Sequence, residues 1–132
     1  MSHMHTARTL HAFVVASTLI VIVGAFVVVR TTGPVLSGFG ALDAVALMMG
    51  ISTVAMTLLV RQRLPLRPSS QTEDDWWRQH LGRAVLIWAL LEMPAVIGGI
   101  TLMATRQAVA FGLLAVVALG GLLSARPGRL GR

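Results

Sequence analysis

The sequence contains no cysteine, no lysine and no tyrosine. The first absence excludes disulfides, thiolate metal sites and covalent haem attachment. The second makes every one of the eleven basic residues an arginine, set against five acids for a net charge of +6. Charge of either sign is scarce. Of 132 residues, 12% are charged and 55% are hydrophobic, where a water-soluble domain carries about twice that charged share. No nucleophile–base pair, metal-ligand cluster or phosphate-binding loop stands out, so the chain does not read as an enzyme. Its positive charge would suggest nucleic acid in a soluble protein. Here the arginines lie at the ends of apolar runs, where they read as a topology signal and as contacts to anionic lipid.

What the sequence has in quantity is long apolar runs, at 10–29, 41–60, 84–104 and 108–124. Each has about the length needed to cross a hydrocarbon core of about 30 Å at 1.5 Å per residue. The expectation is an all-α integral membrane protein, one domain of four transmembrane helices with a loop over 61–83. The first run is too long for the apolar region of a signal peptide, which spans about 7–15 residues. Gly33-Pro34 and Ser37-Gly38 mark a turn-rich loop after it. Thr72 is a helix N-cap candidate, followed by three acids, Glu73, Asp74 and Asp75, that suit the helix dipole. Trp76 and Trp77 come next and are expected as headgroup-level anchors of the third span, with a bend at Gly82. Only Thr105-Arg106-Gln107 separates the third run from the fourth, which makes them a tight antiparallel hairpin.

Nine arginines (8, 61, 63, 67, 78, 83, 126, 129 and 132) fall on one side of this arrangement and two (30 and 106) on the other. The positive-inside rule then puts both termini and the long loop in the cytoplasm. A bacterial inner membrane is the expected location. Gly98-Gly99, with Ala108, Gly112 and Ala115, would let helices approach closely. A homo-oligomer, or a subunit of a larger membrane complex, is the expected assembly.

One carboxyl group interrupts the third run. Glu92 lies nine residues past Arg83, about 13–14 Å deep at 1.5 Å per residue, where an acid is costly and marks a functional hypothesis. Ser17 and Thr18 on the first span reach nearly the same depth, as do Ser52 and Thr53 on the second. Pro94 has no N–H for the carbonyl of Leu90, which leaves a backbone acceptor beside the acid. These groups could bind a proton or Na⁺ and need no other cofactor. The competing reading makes Glu92 a neutral acid that fixes helix packing. Asp43, near the outer end of the second span, is expected to reach water or to pair with Arg106. His11 and His80 have no second ligand at metal spacing and are expected at the membrane interface.

The hairpin from the second run to the third resembles that of the rotary ATPase proteolipid, subunit c. The loop begins Arg61-Gln62-Arg63-Leu64-Pro65, similar to that family's Arg-Gln-Pro loop. The returning helix reads Ala89-Leu90-Leu91-Glu92-Met93-Pro94-Ala95-Val96-Ile97-Gly98, similar to its Ala-Leu-x-Glu-Ala-x-x-Ile-x-Gly segment. The resemblance covers about 60 residues, and spans one and four lie outside it. It implies that Glu92 is an ion-carrying carboxylate in an oligomer. A separate small family of four-span membrane proteins sharing this hairpin is the other reading. Spans one and three also share a faint repeat, with Arg8, Ser17 and Gly24 matching Arg83, Glu92 and Gly99.

Overall fold

The computed structural model describes residues 2–132. They form four helices: α1 (His3–Thr32), α2 (Ala41–Gln62), α3 (Glu73–Thr105) and α4 (Ala108–Ser124). The described residues contain no strand, only one isolated bridge between Leu36 and Gln107. Three of the helices are long and apolar enough to cross a membrane, while the apolar α4 is shorter. Much of the apolar surface is uncovered. Phe13 and Ile20 on α1, Met48 and Ile51 on α2 and Val116 on α4 are all about 70% exposed, which suits a bundle whose solvent is lipid rather than water.

α3 is the central element. α1, α2 and α4 all pack on it, α4 touches both α1 and α2 lightly, and α1 and α2 do not meet. α1 runs parallel to α3 from the contact of Met4 with Asp74 to that of Val29 with Arg106. α2 and α4 run the other way. Ala46 packs with Ile97, and the Arg83 guanidinium donates to the Arg63 carbonyl. Gly98 faces Phe111 and Leu114, while Gly121 faces Leu91. This alternation gathers nine arginines at one end of the bundle and leaves two at the other.

Two helices extend beyond their apolar runs. α3 has 33 residues, about 50 Å at 1.5 Å per residue, and it continues without a break through Gly82 and Pro94. Thr72 caps it, its hydroxyl accepting from Asp75 N–H at 3.2 Å. α1 starts at His3, capped by Ser2, and Met4 N–H donates to Asp74 Oδ1. The added turns form a core at the arginine-rich end, in which Met4 and Ala7 pack with Trp76, Trp77, Ala125 and Leu130. The chain terminus closes it: Arg67 N–H donates to the Gly131 carbonyl at 3.0 Å. Gly131 sits at φ +85°, and a Cβ there would stand 2.9 Å from the Trp76 ring, so only glycine fits.

The opposite end is sewn together by Arg106. It ends α3 in the left-handed conformation at φ 60°, a place usually taken by glycine. Its guanidinium reaches back to α1, donating to Pro34 O at 2.9 Å, Thr32 Oγ1 at 3.2 Å and the Val29 carbonyl. Its own carbonyl accepts from Leu36 N–H at 2.7 Å, and the Leu36 carbonyl accepts from Ala108 N–H at 2.9 Å. Asp43 is fully buried and does not pair with Arg106, contrary to expectation. Its Oδ2 instead accepts from Gly40 N–H at 2.8 Å and caps α2, because Arg106 is committed to carbonyls at the end of α1.

Candidate mid-membrane site

Glu92 lies on the α1 edge of α3, half-buried, and accepts a short hydrogen bond from the Ser17 hydroxyl. The pair forms because the two helices are parallel and nearly in register. Position 17 stands opposite 92, as Ala25 stands opposite Gly99, where a Cβ would lie 3.3 Å from the alanine methyl. Oε2 of Glu92 has no protein partner and is not enclosed. The carboxyl thus has one oxygen tied to α1 and one open to the bundle surface.

The other groups of similar depth are not brought to it. Thr18 is fully buried, but its hydroxyl donates to Val14 O at 2.8 Å within α1. Ser52 is exposed and donates to Met48 O at 2.9 Å, while Thr53 donates to Gly50 O at 2.7 Å. The reason is lateral. α2 packs on another flank of α3 and never meets α1, so equal depth does not bring its hydroxyls near an acid that leans toward α1. No described side chain donates to the Leu90 carbonyl, and Glu92 is not bonded to it. Among the described residues, one hydroxyl, that of Ser17, is bonded to Glu92.

Trp76 and Trp77 do not present their rings to headgroups. Each is 1% exposed, covered by the start of α1, the 61–72 loop and the chain terminus. Trp76 Nε1 donates to Pro65 O at 3.2 Å, and the two indoles meet edge to face at 5.0 Å. His80 stacks on Trp76, its Nδ1 lying 2.8 Å from the Trp76 carbonyl.

A second polar arrangement lies one level nearer the arginine-rich end. The last carbonyls of a helix have no intrahelical partner, and at the end of α4 two rings from neighbouring helices supply donors. His11 Nε2 lies 2.8 Å from the Leu122 carbonyl, and Trp88 Nε1 donates to the Ala125 carbonyl at 2.9 Å. The two rings meet edge to face at 5.2 Å. His11 is therefore a buried packing residue rather than an interfacial one. The signal that could have exposed it was the lack of any basic residue in the last turn of α4.

Among the described residues no cluster of three or more histidine, aspartate or glutamate side chains could hold a metal ion. Comparison with protein families, curated proteins and solved structures finds no match to the chain.

Proposed function

We propose that the protein is a four-span membrane subunit, both termini in the cytoplasm, whose Glu92 carries a proton at mid-membrane next to Ser17. The observation that carries this reading is the half-open carboxyl: one oxygen takes the Ser17 hydroxyl, and the other has no protein partner. The oxygen without a partner is the one on which a proton can arrive and leave. A proton suits the site better than Na⁺. A bare cation needs several oxygens around it, and the hydroxyls of Ser52 and Thr53 are bonded within α2 rather than turned to Glu92. The likeness of the Arg61–Gly98 hairpin to the rotary ATPase proteolipid supports the same role and an oligomer in a bacterial inner membrane.

The second reading is an accessory or scaffold subunit without transport activity, with Glu92 as packing glue. It is favoured by the face of α3 between α1 and α2, where Val85, Leu86, Met93, Ile100 and Met103 are exposed. Carbodiimide labelling separates the two, because the reagent enters from lipid and reacts with protonated carboxyls. The proton-carrier reading expects Glu92 to be labelled at neutral pH, labelling to be lost in Glu92→Gln, and Na⁺ to give no protection. An unlabelled Glu92, with a Glu92→Gln form indistinguishable in melting temperature, supports the scaffold. Strong protection by Na⁺ would restore the cation reading.

A further inference from the structure

α2 and α4 touch only lightly, and the space between them is a groove. Two adjoining clefts, about 210 and 160 Å³ in volume, share Val54 and Val117 as common walls. Together they run from Leu47 on α2 to Arg61, with Gly121 and Ser124 on the facing wall and Leu91 of α3 among the lining. From Leu47 to Arg61 is about 21 Å along a helix at 1.5 Å per residue, more than one leaflet's share, about 15 Å, of the hydrocarbon core. The walls are mostly apolar, and the hydroxyls of Thr57 and Ser124 are bonded within their own helices. Thr57 gives its hydroxyl to Thr53 O at 2.8 Å, and Ser124 gives its own to Gly121 O at 2.8 Å.

The groove ends at a charge. Arg61 lines its mouth at the arginine-rich end, half-buried, and its guanidinium has no hydrogen-bond or carboxylate partner among the described residues. A long apolar slot closed at one end by an unpaired guanidinium has the polarity of an anionic phospholipid, chain along the slot and phosphate at the mouth. The geometry points to a bound anionic phospholipid, one acyl chain between α2 and α4 and its phosphate diester on Arg61. Basic residues at helix ends attract such headgroups, and the groove adds chain contacts that a bulk lipid would not make. A second apolar helix is a worse fit, since it would leave the guanidinium unanswered, and the phosphate is what answers the arginine.

Native mass spectrometry of the full chain, released from nanodiscs of mixed phosphatidylglycerol and phosphatidylcholine, tests this. The expected result is one retained phosphatidylglycerol per protomer, preferred at least tenfold over phosphatidylcholine. Arg61→Gln should reduce that preference to below threefold while leaving some lipid bound. Val117→Trp, which fills the slot, should abolish retention of either lipid. Leu58→Trp serves as the second slot-filling variant should Val117→Trp fail to fold. Arg8→Gln removes the same charge at the same end but on α1, which never meets α2, and should leave the preference intact. Equal loss in Arg8→Gln and Arg61→Gln would mean a diffuse basic belt, and undiminished retention in the filled-slot variants would mean that the chain lies elsewhere. Either result overturns the proposal.

Discussion

At the end of α4, an imidazole and an indole stand in for the lysine or glycine that more often closes a helix. His11 and Trp88 come from helices remote in sequence, yet each places a ring nitrogen on a carbonyl that α4 cannot satisfy alone. Trp88 is fully buried, so its partner carbonyl has no water to fall back on. Trp88→Phe keeps the edge contact with His11 and removes the donor. The expected cost is about 1–3 kcal/mol, that of leaving a buried acceptor unmatched, read as a lowered melting temperature in detergent. A Trp88→Phe protein that melts with wild type would show that this carbonyl is hydrated after all. Glu92 is the other residue whose environment is unusual, and here depth was legible while direction was not. Counting from Arg8 and Arg83 brings Ser17 level with Glu92, but the same count brings Ser52 and Thr53 there too. Which hydroxyl reaches the acid depends on which helices are neighbours, and axial spacing carries no such information.

Helices are where the sequence is most readable, because apolar runs bounded by arginine, proline and glycine leave little choice. The run at 108–124 coincides with α4, and that at 41–60 falls two residues short of the end of α2. The start of α3 is legible too, in Thr72 as N-cap and the three acids of a dipole-matched first turn. What the sequence does not show is that His3–Thr9 is helical: it is too polar to read as membrane, and its helical form depends on Met4 and Ala7 packing against Trp76 and Trp77. Small residues set how closely elements approach. At Gly98 an added Cβ would stand 3.2 Å from Leu114 Cβ and 3.4 Å from Phe111 Cα, so backbone would have to move. Gly98→Val is expected to push α4 from α3 and to cost about 1–3 kcal/mol, the usual range for overpacking. By contrast Gly112→Val, at a glycine with open space around it, should leave the melting temperature within experimental scatter. Comparable losses in both would mean that close approach of α4 to α3 does not govern these sites.

On the scale of the whole bundle, polarity of the arginines is the dominant asymmetry. Because cysteine is absent, single cysteines report topology without background. Ser70→Cys, at the arginine-rich end, is expected to react with an impermeant maleimide only after the cells are opened, and Ser37→Cys to react in intact cells. The reverse pattern would invert the orientation and move the proposed lipid to the outer leaflet. The central position of α3 has a further consequence, for the order in which the protein can assemble. A ribosome delivers α1 and α2 first, and these two have no interface with each other. They must therefore wait in the bilayer as separate, loosely tethered helices until α3 arrives to take one on each flank. The last eight residues then complete the core around Trp76, so a chain truncated there would have all its helices and no finished end.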